Sequence, residues 1–392
     1  MEFSFNEEQQ MIRDTAAAFL AEVSDSQAVR RAMATEQGFD DAVWQRITGD
    51  MYWQALHIPE QYGGLGLGYV ELAALFEQMG RYLLCAPFFS TVALATNALL
   101  VAGSETQKAE YLPRIASGEL TGSLGWVSPG GDWGADGVQA TWEKTASGYT
   151  LNGTLRHVPD GHTAGLLIVA ARSAGSSGET GISLFALPAD TAGVERRWLP
   201  TLDQTRRQAE IVLNQVALPA AALLGPEGAA WPQLRQTLQL AQIALAAEQM
   251  GGAQQALDIS VEYAKGRVQF NRPIASFQAI KHQAADMMLK AEAARSAVYY
   301  AACIAQEALL CAGGNGGDAA LAAELPEAAA IAKGYCSDAF FFNAATGLQM
   351  HGGVGFTWEY DIQLYFKRAR STQTFLGDGA WQREQLAQQL LD

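Results

Sequence analysis

The sequence predicts an α+β protein in three parts. These are a helical N-terminal domain over residues 1–119, a β domain over 120–224 and a C-terminal four-helix bundle over 225–392. Two observations carry the prediction. Apolar residues recur at spacings of three and four up to about Ser117, and again after Gly225. Between those stretches, short apolar and β-branched runs alternate with Ser- and Gly-rich turns. A length of 392 residues suits two or three domains.

Asn6 to Val23 reads as a helix. Asn6 caps it, Gln9 completes a capping box, and Met11, Ile12, Ala16, Phe19, Leu20 and Val23 share one face. Further helices are expected over Asp41–Met51, Gly68–Arg81, Ser90–Ala102 and Glu105–Ala116, interrupted by the glycine-dense turn around Gly63 and Gly64. Strands are expected at Thr150–Gly153, Gly165–Ala170 and Gly181–Leu187, as an antiparallel barrel or sandwich. Beyond Gly225-Pro226-Glu227-Gly228, helices are expected over Thr237–Lys265, Phe277–Cys311 and Glu327–Met350, and a fourth closes the chain. Long antiparallel helices with short links imply a four-helix bundle.

Composition narrows the function. The net charge of −15 opposes nonspecific nucleic-acid binding, which needs a basic face. No run of about 18 apolar residues free of charge occurs, so no membrane span is expected. The start, MEFSFNEEQQ, lacks the basic and apolar regions of a secretory leader. Cys85, Cys303, Cys311 and Cys336 have no paired metal spacing and suit a reducing, cytoplasmic compartment. The five histidines make no HxH or HxxxH pair, so no metal site is expected.

The chemistry concentrates in Tyr263 to His282, YAKGRVQFNRPIASFQAIKH. Arg267 is permanently charged and forked, which suits a phosphate or carboxylate. Gln269 adds an amide and Phe270 an aromatic plate. Together they suit a nucleotide, with pyrophosphate on the arginine and adenine against the ring. The alternative is an arginine paired with a carboxylate at a helix C-terminus. A second stretch, Gln349-Met350-His351-Gly352-Gly353-Val354-Gly355-Phe356, lies at a helix end, where glycines let backbone amides approach a phosphate. An ordinary helix cap is its alternative.

The first stretch resembles the acyl-CoA dehydrogenase signature, R-x-Q-F-G-x-P-I-x-x-F-Q, at Arg267, Gln269, Phe270, Pro273, Ile274, Phe277 and Gln278. It departs at Asn271, where the family has Gly; Asn also tolerates left-handed backbone. PEQYGGLGLG, LPRIASGE and the family's Q-x-x-G-G-x-G-F pattern at Gln349, Gly352 and Gly353 extend the resemblance over nearly the whole chain. It implies FAD as cofactor, an acyl-CoA substrate, an electron-transfer flavoprotein as acceptor, and a role in fatty acid or steroid degradation. It also implies that these residues reach into the FAD of a neighbouring subunit, in a homo- or hetero-tetramer.

Other family positions are altered. The reaction needs a carboxylate to take the α-proton of the thioester. The family's Y-E-G-T block reads Phe375-Leu376-Gly377-Asp378, which puts Leu376 at the base position. The alternative position on the long helix is Ala241. The T-E-P block reads Val127-Ser128-Pro129, and W-I-T-N-G reads His157-Val158-Pro159-Asp160-Gly161, so both flavin-contacting threonines are gone. Two carboxylates remain as catalytic candidates. Glu248 shares the face of Ala241 among small residues, where burial is expected to raise its proton affinity; the alternative is a structural ion pair. Asp378 lies in a Gly-Asp-Gly turn; the alternative is a helix cap. The resemblance therefore suits an Arg-lending subunit of a heteromeric dehydrogenase, a self-sufficient enzyme with a displaced base, or a silent scaffold. Small residues along Ala241 to Gly252 suggest a roomy pocket for a branched or polycyclic acyl chain, or else close helix packing.

Overall fold

The computed structural model describes residues 6–391. The N-terminal part contains α1 (Glu7–Val23), α2 (Ser26–Met33), α3 (Asp41–Gly49), α4 (Tyr69–Arg81), α5 (Asn97–Ala102) and α6 (Glu105–Ala116). The capping box forms: the Asn6 side chain accepts from Gln9 N–H at 2.8 Å, and Gln9 Oε1 accepts from Asn6 N–H at 3.1 Å. Ala16, Phe19, Leu20 and Val23 are its buried face. The helix expected over Ser90 to Ala102 divides. Phe89–Thr96 winds as a π-helix, and only Asn97–Ala102 is α-helical. Thr96 Oγ1 donates to the Thr91 carbonyl, five residues back, at 2.8 Å. Periodicity does not separate the two windings over so short a run.

The middle strands are β1 (Gly122–Gly125), β2 (Thr141–Thr145), β3 (Gly148–Pro159), β4 (Leu166–Ser173), β5 (Ile182–Pro188), β6 (Val194–Leu199), β7 (Gln208–Pro219) and β8 (Leu223–Leu224). Their order is β6-β7-β3-β2-β4-β5-β8, with β1 added beside β4. Of the barrel or sandwich expected from the sequence, the barrel does not close. Among the described residues β6 pairs only with β7 and β8 only with β5, and both β1 and β2 run parallel to β4. Apolar runs mark strands but not their partners, so neither feature was readable. β4 has an almost unbroken buried pattern because its two faces enter different cores. Leu166, Ile168 and Ala170 join the core shared with the helices, whereas Leu167, Val169 and Ala171 join a second core enclosed by β3, β5 and β7.

The C-terminal part is built from α7 (Trp231–Gly266), α8 (Gln278–Ala312), the short α9 (Ala319–Ala322), α10 (Leu325–His351), α11 (Ile362–Thr374) and α12 (Gly379–Leu391). The fourth bundle helix expected as one element is therefore two. The break falls at Phe375 to Asp378, where Leu376 has φ +63° and Gly377 φ +88°. α7 is the central helix, packed on α4, α8 and α10. Its contact with α4 is backbone to backbone. A β-carbon on Gly80 would stand 1.9 Å from the Glu248 carbonyl oxygen, and one on Gly251 would stand 1.8 Å from that of Glu77. The small residues near Glu248 thus serve close helix packing rather than a roomy pocket. Among the described residues no helix is long and apolar enough to cross a membrane.

Candidate active site

One half of the site is an exposed surface at the joint ends of α7 and α10. Arg267 follows the last residue of α7. A two-stranded hairpin pairs Gln269 with Arg272, and its turn residues Phe270 and Asn271 are both left-handed, with φ +53° and +61°. Asn271 thus takes, at small steric cost, the conformation that glycine would provide. Phe270 is 86% exposed. Gln278 begins α8 and is exposed, as is Gln349 near the end of α10. Gly352 leaves α10 with φ +64°, and a β-carbon there or on Gly353 would meet no atom within 4 Å.

Tyr263 joins the two segments. Its ring stacks on His351 at 4.1 Å between centroids, and its hydroxyl donates to the His351 carbonyl at 3.3 Å. This contact sets the end of α7, which leads into Arg267, beside the end of α10, which leads into the Gly352-Gly353 turn. Among the described residues Arg267 has no carboxylate partner, so the helix-end ion pair does not form. His351 is packed: its Nδ1 faces the Gly347 carbonyl at 2.7 Å, and burial lowers its pKa. An unpaired guanidinium, an open glycine cradle and an exposed aromatic plate fit a dinucleotide.

The second half is interior. Trp126, Trp133, Trp231, Gln239, Gln242 and Leu376 help line a cavity of about 530 Å³. A neighbouring cavity of about 400 Å³ is bounded by Trp133, His157, Asp203, Gln208 and Phe375. Trp133 stands between them, with its ring 5.3 Å from Phe375 and 5.7 Å from Trp126. His157 Nδ1 lies 3.0 Å from Gln208 Oε1. Ser128 Oγ accepts from Gln139 N–H at 3.2 Å. Of the altered positions, His157 bounds the smaller cavity, and Trp126, next to Val127, lines the larger one.

Neither expected carboxylate lines either cavity. Glu248 is 2% exposed and held by two arginines. It pairs closely with Arg206, and Arg368 Nη1 donates to its other oxygen at 2.5 Å. Arg368 also donates to Asp203 at 2.9 Å and to Thr205 Oγ1 at 2.8 Å. Burial pushes the Glu248 pKa up, but the two guanidiniums outweigh it and the net shift is downward. The raised proton affinity expected from burial is therefore not found. Sequence reading missed the cause: Arg206 comes from the loop before β7 and Arg368 from α11, both remote in sequence. Asp378 is exposed and caps α12, accepting from Trp381 N–H at 2.9 Å. The carboxylates that do line the larger cavity, Glu324 and Glu327, lie at the start of α10 and were not singled out from sequence. Among the described residues no group of His, Cys, Asp or Glu could hold a metal.

Asp160 adds a pH-dependent element. It is 5% exposed, has φ +50°, and accepts from Ser90 Oγ at 2.8 Å. Burial, opposed by the Ser90 bond and by Arg206 and Arg368, raises its pKa from 3.8 to about 6. The folded chain then holds a proton that the unfolded chain releases as pH rises between those values. Stability falls across that window, by up to about 3 kcal/mol. Asp160→Asn is expected to raise the unfolding midpoint at pH 7.5 and to leave it unchanged near pH 4. Thermal unfolding at the two pH values checks this.

Two family models match the chain: "Acyl-CoA dehydrogenase, N-terminal domain" over residues 6–119 and "Acyl-CoA dehydrogenase, C-terminal domain" over residues 227–391. The chain belongs to the acyl-CoA dehydrogenase family. It is 34% identical to acyl-CoA dehydrogenase IpdE2 of Mycobacterium tuberculosis, over 94% of this chain and 93% of the relative. Its fold matches butyryl-CoA dehydrogenase from Megasphaera elsdenii with a TM-score of 0.89 at 29% identity, covering 100% of both chains. It also matches a chain of the ChsE4-ChsE5 complex from Mycobacterium tuberculosis, with a TM-score of 0.87 at 25% identity over 100% and 99% of the two chains. As a family member the chain is an FAD-linked oxidoreductase acting on acyl-CoA. Arg267, Phe270, Gly352 and Gly353 are the residues whose geometry suits that dinucleotide.

Proposed function

We propose that this chain is one subunit of a hetero-oligomeric acyl-CoA dehydrogenase and lends Arg267 to an FAD site shared with an unlike subunit. The observation that carries the reading is the wall of the larger cavity at Leu376. The reaction needs a proton acceptor beside the thioester, and the side chain there is aliphatic. Ala241 is fully buried and has no proton-accepting group either. Glu248 is neutralised by two arginines, and Asp378 is exposed at a helix cap. By contrast, the surface that suits a dinucleotide is complete. The relative ChsE4-ChsE5 is itself a complex of two differently named chains.

In this reading a bound flavin would supply the hydride acceptor for the acyl β-carbon, with an electron-transfer flavoprotein as the final electron acceptor. Arg267 pairs with the pyrophosphate, and Gln269, Gln278 and Gln349 supply amides at the same face. Phe270 offers a ring to the adenine. The Leu376 backbone N–H serves the thioester oxygen, a role that survives loss of the acidic side chain. The partner subunit supplies the base.

FAD stoichiometry and native mass, measured on the chain expressed alone and with a second acyl-CoA dehydrogenase chain, test the proposal. A colourless product that becomes yellow only on co-expression is the expected result. A yellow homotetramer with one FAD per chain and turnover of its own would overturn it. The search for a base would then move to Glu324 and Glu327, which line the same cavity as Leu376.

A further inference from the structure

Lys333 lies in the middle of α10 with no exposed surface. Its ammonium donates to Ser337 Oγ at 2.7 Å, to the Gly377 carbonyl at 2.9 Å and to the Gln373 carbonyl at 3.2 Å. All three donors are used, yet none of the acceptors is charged. Burial lowers the Lys333 pKa to about 7. A methionine of similar shape would avoid that desolvation. The two carbonyls Lys333 holds flank Leu376.

The Leu376 carbonyl is held as well. It accepts from Gln382 Nε2 at 2.8 Å and from Gln242 Nε2 at 3.2 Å. Three side chains from α7, α10 and α12 thus fix the carbonyls of Leu376 and Gly377 from the protein side. The turn needs holding, because a leucine at φ +63° sits in a conformation that only glycine adopts freely. Its N–H has no partner among the described residues. Yet Leu376 is 1% exposed and lines the larger cavity. A buried amide without an acceptor is costly, so it marks a place for a ligand oxygen.

We propose that Lys333, with Gln242 and Gln382, is a positioning device that locks the Leu376–Gly377 turn so that the Leu376 N–H meets the carbonyl oxygen of a bound thioester. The inference rests on the acyl-CoA reading above. It predicts discrimination between a thioester and a ligand without its carbonyl. Titration of the flavin-containing assembly with butyryl-CoA and with the thioether S-butyl-CoA gives that ratio directly. The wild-type assembly is expected to prefer the thioester by roughly fivefold, the yield of one hydrogen bond. Lys333→Met is expected to reduce the preference to below about twofold with thioether affinity unchanged. That pattern separates loss of a positioned amide from general loss of structure.

Gln382→Leu, on the outermost of the three helices, is expected to weaken the preference in the same direction. It decides the matter if Lys333→Met does not fold. A full preference retained in whichever variant folds overturns the lock, as does a wild-type assembly that binds both ligands equally. A wild-type assembly that binds neither ligand overturns instead the acyl-CoA reading on which the lock rests.

Discussion

Glu248→Gln is expected to destabilise the fold by about 3–5 kcal/mol, because it leaves buried guanidinium charge without its anion. Arg206 and Arg368 both converge on that carboxylate. Arg368 keeps Asp203, whereas Arg206 keeps the face of Phe89, 4.6 Å from its guanidinium carbon, and the more distant charge of Asp160. The measurable result is a fall of roughly 5 °C or more in the unfolding midpoint. A displaced catalytic base predicts the opposite pattern, in which the carboxamide preserves stability and turnover falls by at least about 10²-fold with flavin still bound. The pH dependence gives an independent reading. The Glu248 pKa lies below its ordinary value. Its stabilisation is therefore complete above the unfolded value of about 4.3 and is lost as pH falls through the folded one. Glu248→Gln should flatten that acid limb. It should also weaken the opposite trend of Asp160, because the Glu248 charge helps to raise the Asp160 pKa.

The contrast between Glu248 and Arg267 marks what the sequence could disclose. Arg267, Gln269, Phe270 and Gly352 lie in contiguous stretches, and their exposed geometry follows from local rules: a helix end, a left-handed turn, a glycine exit. The helices were legible for the same reason, since their periodicity and the Asn6 capping box are local. Glu248 also looked legible, as a carboxylate among alanines and glycines. Its proton affinity is set by Arg206 and Arg368, and no local pattern brings those residues to it. The same limit applies to the sheet. The apolar run of β4 announces a strand buried on both faces, but its parallel pairing with β1 and β2 depends on a crossover. The break at Leu376 was hidden in a different way. The Gly-Asp-Gly signal was visible, but the clamp by Lys333, Gln242 and Gln382 that makes the turn specific comes from three separate helices.

Arg267→Ala is expected to remove FAD from the hetero-oligomer while leaving this chain as stable as before. The side chain is exposed and has no carboxylate partner among the described residues, so its loss leaves no buried charge and should shift stability by no more than about 0.5 kcal/mol. Loss of the fork instead leaves the pyrophosphate of the bound cofactor without its paired donors, and charge-assisted bonds of that kind are among the strongest available. Arg267→Lys restores the charge but not the two parallel donors, so intermediate FAD retention is expected. Absorbance near 450 nm per mole of complex, read beside the thermal midpoint of the isolated chain, separates the two effects. Loss of flavin at constant stability supports the shared site. Unchanged flavin content would mean that Arg267 faces solvent in the assembly, and the chain would then serve its partner as a scaffold, shaping the substrate cavity without touching the cofactor.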